Sequence, residues 1–517
     1  MAEGPGEVGT LGEPSEEGRG REAEVLAARR ESLERLGRDR AFALSLRQAL
    51  GVEDPDRTSA IRAAHPDLAP DTLTEDVRTV AGRVILRRDM GRLQFVTLRD
   101  RDGDLQVVFA RDALGEDGFA LLDELDLGDI VGVTGRVGTT RKGELSVFAD
   151  RWAMLTKALR PLPEKWHGLQ DPDLQQRRRE LHLAVDETPR RYALARAAVL
   201  KTIRRILDDE GYVEFEGPML QLVAGGANAK PFLTYHDALG VEMKLRISLE
   251  LYLKRMLVGG LERVFEIGRN FRNEGIDRDH NPDFTMLEAY RAWGDYSTMM
   301  TLCETLIRES ARAVAPILGR DPEDLRIPYR DLTLDLGAPF ARITILGSVS
   351  EATGEEITLE RDDLREIAQR SGVHLEPAWG PGKVVQELFE KLVEGTIEQP
   401  TFVCDFPREV SPLARPHRDD PGLTEHFDLV AGGLELVTAF SELTDPIEQR
   451  AKFELQQAAK AAGDEEAHPL DEDFLRALEH GMPPTGGMGM GIDRLLMLLT
   501  DAPSLRDLIM FPAHRPE

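Results

Sequence analysis

Two short segments in the C-terminal half of the chain carry residue types suited to phosphate chemistry. Arg272 and Glu274 follow an apolar run and lead into the polar loop GIDRDHNPD, while Gly487, Gly491 and Arg494 precede an apolar stretch. A guanidinium group offers phosphate a planar fork of donors, and glycine lets a backbone approach a nucleotide closely. Such groups could neutralise the charge of a bound phosphate. Either segment alone is weak, because an arginine at a strand end is usually a surface charge and the glycine spacing is not GxGxxG.

Folded domains must position these residues, and length and composition bound what those domains can be. The chain has 517 residues, 93 acidic and 65 basic side chains, and a formal net charge of -28. No apolar run reaches the ~18 residues of a membrane-spanning helix, the N-terminus lacks the features of a secretory signal, and two cysteines cannot form a disulfide framework. We therefore predict a soluble, cytoplasmic protein of several domains with no membrane partner.

The net charge argues against bulk binding to nucleic acid. Residues 78–111 are an exception, because they contain eight Arg and four Asp in an acidic chain. This basic segment indicates an anionic partner, or it is simply the solvated face of a charged domain.

The residue pattern divides the chain into segments of different character. Five short β-like runs, with one helical stretch before the fourth, are typical of a small closed barrel of the OB type. A Pro- and Arg-rich stretch follows, and from residue 191 helical and strand patterns alternate. The predicted organisation is a disordered acidic tail over 1–21, a helical extension over 22–75, the barrel over 76–157, a linker over 158–190, and a C-terminal domain over 191–517 with a helical insertion within 318–400.

Three features of the C-terminal domain resemble, in order and spacing, motifs 1, 2 and 3 of the class II aminoacyl-tRNA synthetases. They are a helix and strand ending at Pro218, the FRNE run with its loop, and the GMGMGIDR run. Longer stretches, including GGANAKPFLTYHDAL, HNPDFTMLEAY and SLRDLIMFPAHRP, are similar to lysyl-tRNA synthetases of the bacterial class II type, from about residue 55 to the C-terminus. The resemblance implies an α+β fold: an OB-type barrel, then a catalytic domain with an antiparallel sheet flanked by helices.

The resemblance also implies a reaction in which ATP activates L-lysine and the lysyl group passes to tRNA(Lys). Arg272, His280 and Arg494 match the catalytic residues, and Arg272 would contact both the α-phosphate and the lysine carboxylate. The other implied residues of the ATP site are Glu274, Asn281, Phe284, Glu435 and Gly491. Among these, the aromatic ring would stack on the adenine.

Mg²⁺ is the implied cofactor, held with ATP by Asp428 and Glu435, and Mg²⁺ prefers carboxylate and phosphate oxygens. Aspartate at 428, where the family has glutamate, keeps the charge and shortens the reach. The implied lysine site has Glu288, Tyr290 and Glu442 around the ε-ammonium, because a buried cation needs a paired anion. The residues that complete this site are Gly226, Glu250, Thr438 and Phe440.

The resemblance has two further implications, which concern the residues of the barrel and motif 1. Arg87, Phe95, Gln106 and Glu144 match residues that read a tRNA anticodon, and Phe95 would be a stacking platform. A single phenylalanine in a strand would otherwise more often belong to a core. The helix over 191–210 and the strand over 212–216 match the family's dimer element, so the expected assembly is a homodimer.

Several positions depart from the family pattern. Thr438 stands where Asn is usual, Ser248 and Leu249 where Ala-Pro is usual, and Gly217 where Thr precedes Pro218. These departures leave two alternatives open beside lysine–tRNA ligation. One is a divergent paralogue that uses another amino acid or makes dinucleoside polyphosphates. The other is a catalytically inactive, nucleic-acid-binding regulator.

Overall fold

The computed structural model describes residues 16–163, 169–377, 379–461 and 469–515. The chain divides into two units, Met1–Gln170 and Asp171–Glu517, which are described separately. Most of the acidic tail expected over 1–21 lies outside the described residues. Its last positions, 16–21, are helical instead of disordered, because they continue into a run of Glu, Ala, Arg and Leu, which are strong helix formers.

The first unit contains a closed five-stranded barrel. Its strands are β1 (Leu73–Asp89), β2 (Leu93–Arg99), β3 (Asp104–Ala110), β4 (Ile130–Thr139) and β5 (Leu145–Thr156). Their order is β1-β2-β3-β5-β4, and all pairs are antiparallel except β3 with β5. Alternation builds the barrel core. Val96 and Leu98 of β2 are buried in that core, whereas Phe95 lies on the other face of the strand and stays partly exposed.

Helices surround this barrel in the order expected for a helical extension followed by one inserted helix. They are α1 (Glu16–Leu36), α2 (Arg38–Ala41), α3 (Leu46–Leu50), α4 (Thr58–Ala64) and α5 (Arg111–Ala120), the last followed by a 3-10 turn at Leu121–Glu124. Leu36, Ala41 and Ile61 contribute to the barrel's apolar core. The barrel predicted from five short strands is therefore confirmed.

The second unit is built on a large mixed sheet. Its strands are β6 (Val213–Glu214), β7 (Leu220–Gln221), β8 (Leu233–His236), β9 (Val241–Leu245), β10 (Arg263–Phe271), β11 (Asp283–Ala292), β12 (Arg326–Tyr329), β13 (Leu332–Asp335), β14 (Ala341–Thr344), β15 (Thr401–Cys404), β16 (His426–Ala431), β17 (Leu434–Ser441) and β18 (Thr485–Gly491). Eight of them form one sheet in the order β14-β15-β16-β17-β18-β11-β10-β6. Only its two outermost pairs are parallel.

The helices of the second unit are α6 (Pro172–Arg177), α7 (Arg179–Val185), α8 (Thr188–Asp209), α9 (Glu250–Val258), α10 (Tyr296–Val314), α11 (Ile345–Thr353), α12 (Leu364–Arg370), α13 (Pro381–Leu392), α14 (Pro446–Ala461), α15 (Glu472–Glu479), α16 (Ile492–Thr500) and α17 (Leu505–Leu508). Helices α8, α10 and α16 join the sheet in one apolar core that includes Val199, Leu306 and Leu496. The α+β class expected from the sequence is confirmed.

The linker expected over 158–190 differs from the structure. Residues 171–190 belong to the second unit and contain α6, α7 and the start of α8. Arg179 explains the difference, because its buried guanidinium donates to the carbonyl oxygens of Met510 (3.0 Å) and Arg506 (2.9 Å). The segment of clustered arginines, which the sequence predicted to be a linker, is therefore partly folded into the second unit.

The segment within 318–400 is more than a helical insertion. Helices α11–α13 do share an apolar cluster that includes Val349, Ile367 and Leu388. However, β14 pairs in parallel with β15 and so extends the main sheet.

Within the described stretches, no helix is both long enough and apolar enough to cross a membrane.

Candidate active site

One cavity of about 500 Å³ in the second unit collects the predicted site residues. The catalytic, ATP, lysine and metal residues predicted above all line it, although they come from separate strands and loops: Gly226, Glu250, Arg272, Glu274, His280, Asn281, Phe284, Glu288, Tyr290, Asp428, Glu435, Thr438, Phe440, Glu442, Gly491 and Arg494. The arrangement brings residues of motifs 2 and 3 together, while the role of each residue stays a prediction.

Strand alternation delivers these side chains to the cavity. On β11, Leu287 and Ala289 are buried in the core shared with the helices, whereas Glu288 and Tyr290 line the cavity on the opposite face. On β18, a Cβ atom at Gly487 would overlap the side chains of Glu442 and Tyr290. This glycine is therefore required for two neighbouring side chains to fit.

Arg272 marks the cationic end of the cavity. Its guanidinium lies 5.1 Å from the Phe284 ring centroid, in cation–π contact. Its Nε atom is buried and has no hydrogen-bond partner among the described residues. Burial lowers the pKa of Arg272, while the carboxylates of Glu274 and Glu435 act in the opposite direction. An anion that entered the cavity would supply the missing acceptor.

Arg494 and His280 lie together at the same end. One Arg494 nitrogen donates to the Glu435 carbonyl oxygen at 2.9 Å, and another lies 3.3 Å from His280 Nε2. The other ring nitrogen of His280 lies 2.9 Å from the Asp277 carboxylate. Asn281 donates its amide to the Asp283 carbonyl oxygen at 2.7 Å, which fixes its orientation. These groups form a rim rich in donors.

An acidic pair on β16 and β17 lies beside Arg494, which forms an ion pair with Glu435 at 3.6 Å. The hydroxyl of Thr438 donates to Asp428 at 2.6 Å and lies 3.4 Å from a Glu435 oxygen, so one side chain connects both carboxylates. His426 Nε2 lies 3.1 Å from Asp428. Burial, followed by the charge of Glu435, raises the pKa of nearby Glu394 to about 7. Thr438 thus contacts the predicted metal residues, although the sequence assigned it to lysine.

Three carboxylates lie at the other end of the cavity. Glu288 accepts hydrogen bonds from the Ser248 hydroxyl, the Leu249 amide and the Tyr290 hydroxyl, each at 2.9 Å. Burial raises the pKa of Glu288 to about 7, and the charge of Glu250 adds to this shift. A proline at 249, as in the family pattern, has no N–H to donate. The departure at Ser248 and Leu249 therefore gives Glu288 two donors.

Glu442 is the third carboxylate and the least satisfied. Its Oε2 atom forms an ion pair with Lys254, but its Oε1 atom is buried and has no hydrogen-bond partner among the described residues. Burial raises the pKa of Glu442 to about 8, despite the opposing charge of Lys254. A buried carboxylate oxygen without a donor is costly. This end of the cavity is therefore suited to a ligand that carries ammonium groups.

Sequence reasoning missed several residues of this site. Lys254 is fully buried behind Glu250 and Glu442, and Gln386 of α13 reaches the cavity from the predicted insertion. The run ELYLKR gave one signal for Lys254, because positions 250 and 254 share a helix face. No pattern in the sequence pointed to Gln386.

The barrel shows which predicted anticodon residues share a surface. Phe95 pairs in register with Arg88 across β1 and β2, and Arg88 lies 3.4 Å from Gln106. Arg87 is paired with buried Val96 instead, and it donates to the Leu125 carbonyl oxygen at 2.5 Å. The sequence therefore missed Arg88, which lies on the Phe95 face.

Glu144 is exposed in the turn before β5, and Gln106 donates to the Ser146 hydroxyl at 2.9 Å. Phe95 lies outside the buried core, so it is available on the barrel surface. This face thus joins a partly exposed aromatic ring, an exposed guanidinium and a buried amide. This combination suits a single-stranded nucleic acid, whose bases stack and whose backbone is anionic.

Comparison with known families agrees with both units. The family described as class II tRNA synthetases (D, K and N) matches residues 171–515, and that of OB-fold nucleic acid binding domains matches residues 79–155. The lysine–tRNA ligase of Thermosynechococcus vestitus is 49% identical over 87% of this chain and 89% of its own length. That of Moorella thermoacetica is 47% identical over 89% of this chain and 92% of its own length. That of Bacillus subtilis is 44% identical over 90% of this chain and 92% of its own length. The chain therefore belongs to the class II tRNA synthetases, and within them to the lysine–tRNA ligase family.

Proposed function

We propose that the protein joins lysine to tRNA(Lys) at the expense of ATP. In the first step lysine and ATP give lysyl-adenylate and pyrophosphate; in the second the lysyl group passes to tRNA and AMP leaves. The observation that carries the proposal is one cavity with arginines at one end and three buried carboxylates at the other. Lysine matches this polarity, because its carboxylate must meet a phosphate while its side chain ends in a cation.

At the cationic end, Arg272 binds the α-phosphate together with the carboxylate of lysine. Its buried, unpartnered Nε atom and its contact with Phe284 leave a guanidinium held in place and lacking an acceptor. Holding both anions in contact aligns the in-line attack and offsets their repulsion. Arg494 and His280 bind the γ-phosphate, so the departing pyrophosphate keeps both of these partners.

The adenine lies on the Phe284 ring. Glu274, exposed at the rim, and Asn281 read its polar edge. The backbone at Gly491 allows the nucleotide to lie against the end of β18, because no side chain projects there.

Mg²⁺ fits the acidic pair. Asp428 and Glu435 offer the carboxylate oxygens that Mg²⁺ prefers, and both line the cavity, where the Thr438 hydroxyl connects them. Bound with ATP, the metal neutralises phosphate charge. Thr438 holds Asp428 in place through its hydroxyl, and Arg494 holds the backbone carbonyl of Glu435.

At the carboxylate end, Glu288, Tyr290 and Glu442 surround the ε-ammonium of lysine, with Glu442 supplying the oxygen that lacks a donor. Glu250 and the backbone of Gly226 hold the α-amino group. Gly226 has a φ of 92°, and a Cβ atom there would lie 2.8 Å from the Ser248 hydroxyl, so a larger residue does not fit. The methylene chain of lysine lies along Phe440. A neutral side chain would leave these carboxylates unpaired, which favours lysine.

The barrel binds the anticodon of tRNA(Lys). Phe95 stacks on a base, while Gln106, Glu144 and the arginines at 87 and 88 contact the neighbouring groups. Partial exposure of Phe95 supports this proposal, since a core residue could not stack on a ligand.

The protein acts as a homodimer in the cytoplasm, where charged tRNA is used. Exposed apolar side chains near motif 1 support the dimer, and they include Met219, Leu222, Leu233 and Leu239. A two-fold contact between copies would cover such a surface. Sedimentation of the active protein should give twice the mass of one chain, and a fully active monomer would contradict the dimer.

ATP–pyrophosphate exchange with each amino acid tests the proposal, followed by charging of purified tRNA(Lys). We expect exchange with lysine and transfer to tRNA(Lys). Exchange with another amino acid, or dinucleoside polyphosphate as the main product, would instead indicate a divergent paralogue. Binding of tRNA without any exchange would indicate an inactive regulator.

A further inference from the structure

Lys254 lies beneath the carboxylate end of the cavity with no solvent exposure. Its Nζ atom donates to Glu250 Oε1 at 2.6 Å and forms an ion pair with Glu442 Oε2. Glu250 is four residues earlier on α9, and Glu442 follows the end of β17. Lys254 therefore connects α9 to the end of β17, at the point where Glu250 and Glu442 reach the cavity wall.

We propose that Lys254 is a specificity-determining positioning residue that makes this pocket select a diamino acid of one length. It holds one oxygen of Glu250 and one of Glu442, and the second oxygen of each carboxylate is left for an amino group of the substrate. This inference rests on the proposed function, since it takes lysine as the amino acid.

The charges of the pocket support this assignment. Three buried carboxylates, those of Glu250, Glu288 and Glu442, lie at this end of the cavity. Lysine brings only two ammonium groups, and its carboxylate pairs with Arg272. Lys254 supplies the remaining positive charge, so the occupied pocket holds no unpaired carboxylate, which would be costly when buried.

The geometry adds a length requirement. Because a single nitrogen atom binds both carboxylates, the distance between Glu250 and Glu442 cannot vary without breaking one of its contacts. Glu442 is confined on its other side as well, since a Cβ atom at Gly487 would overlap it. The two amino groups of the substrate must therefore match a fixed spacing. Ornithine, which is shorter by one methylene, cannot reach both carboxylates at once.

Ionisation in this cluster depends on Lys254. Burial alone would lower the pKa of Lys254, but the charges of Glu250 and Glu442 raise it, so this lysine stays cationic. The charged and titratable groups that face the cluster from the surrounding elements are Glu250, Glu288, Tyr290, Glu442 and Lys452. Without Lys254 these carboxyl groups would hold their protons to a higher pH, and a protonated carboxyl does not pair with an ammonium.

The test compares Lys254→Met and Lys254→Gln with the wild-type protein in ATP–pyrophosphate exchange, using lysine and ornithine as substrates. Lys157→Met is the matched control, because Lys157 is also buried between two carboxylates but belongs to the barrel. We expect kcat/KM for lysine to fall at least tenfold in both Lys254 variants, with KM for ATP unchanged. If one methylene decides the preference, kcat/KM for lysine exceeds that for ornithine about 10–200-fold in the wild-type protein. In the Lys254 variants this ratio should fall towards one.

The acidic limb of the pH profile of kcat/KM for lysine should also move to higher pH in the Lys254 variants and stay in place in Lys157→Met. Equal losses for lysine and ornithine with an unmoved pH profile would overturn the inference, because a merely structural lysine predicts that result. Failure of both Lys254 variants to fold would overturn it too. Absence of lysine-dependent exchange in the wild-type protein would instead refute the proposed function.

Discussion

The barrel and the catalytic unit each bury a lysine between two carboxylates, and the two clusters differ in one respect. Lys157 donates to Glu124 O at 2.5 Å, Asp126 Oδ2 at 2.6 Å and Asp129 Oδ2 at 2.9 Å, which uses all three of its donors. Asp129 also accepts from two backbone amides at 2.7 Å. In the barrel, all three donors of Lys157 and both oxygens of Asp129 are therefore occupied by the protein itself.

The catalytic unit uses the same charges differently. Lys254 contacts Glu250 and Glu442, and the Oε1 atom of Glu442 keeps no hydrogen-bond donor among the described residues. Buried polar groups in proteins are normally satisfied, so an exception needs an explanation. The barrel cluster stabilises a fold, whereas the pocket cluster is complete only with a ligand. Hydrogen-bond satisfaction, more than charge or burial, separates the structural site from the binding site.

The largest expected effect concerns the barrel cluster. Lys157→Met leaves Asp129 buried without its cation, and loss of one partner of a buried pair costs about 3–5 kcal/mol of folding stability. Denaturant unfolding measures this loss. Lysine-dependent exchange by the folded protein should stay near the wild-type value, and a selective rise in KM for lysine would break the distinction between the two clusters.

Arg272→Ala tests the opposite end of the cavity. Removal of a charge-assisted contact to the reacting phosphate should cost about 3 kcal/mol, or roughly a hundredfold in exchange rate. Folding stability should change little, because the guanidinium has no protein partner at Nε. Exchange close to the wild-type rate would refute the assignment of Arg272.

Glu442→Gln removes a buried charge whose Oε1 atom has no hydrogen-bond donor among the described residues. The hydrogen bond from a substrate ammonium to a carboxylate contributes about 1.5–3 kcal/mol, so KM for lysine should rise at least tenfold while KM for ATP stays constant. Glu288→Gln should act in the same direction. Equal weakening of ATP and lysine in steady-state kinetics would mean that these residues are structural.

Phe95→Ala tests whether the barrel surface binds tRNA through this aromatic ring. Loss of a stacking platform costs about 1–3 kcal/mol per base, so charging of tRNA(Lys) should fall. Pyrophosphate exchange should be unaffected, because that step needs no tRNA. Parallel loss in both assays would indicate that the ring supports the barrel fold.

Ser248→Ala should give the smallest effect. It removes one of the donors to Glu288, and a single hydrogen bond to a charged group contributes about 1.5 kcal/mol at the low end. The pKa of Glu288 should rise, so KM for lysine should increase most at acidic pH. A pH-independent change in KM would show that this hydroxyl does not act through Glu288.

The resemblance to the family supplied the class of the second unit and the residues that meet in the cavity. The sequence pattern itself predicted the barrel, because alternation and turn residues are local properties. It could not distinguish Arg87 from Arg88. A β-bulge between Val84 and Leu86 shifts the register of β1, and such a shift exchanges the two faces of a strand. The register therefore places Arg88 opposite Phe95, while the assignment of Arg87 to the anticodon, which follows from the family resemblance, stays a prediction.

Long-range contacts account for the other differences. Lys254 belongs to the site only because Glu442 meets it from a distant strand, and Arg179 is structural only because its acceptors lie near the C-terminus. Ser248 and Leu249 looked like losses from the family pattern, yet both donate to Glu288. Departures from a motif cannot be judged before their partners are known.

Calorimetric titration of L-lysine into the wild-type protein at about pH 6 and about pH 8 tests the central claim most directly. Burial raises the pKa of Glu442 to about 8 and that of Glu288 to about 7, so both must lose protons before they can pair with ammonium groups. The side chain of lysine, with a pKa of about 10.4, is charged at both pH values. We predict that lysine binds more tightly at the higher pH and that Glu442→Gln abolishes most of this binding. Equal affinity at both pH values, or binding of lysine that Glu442→Gln leaves intact, would contradict the account.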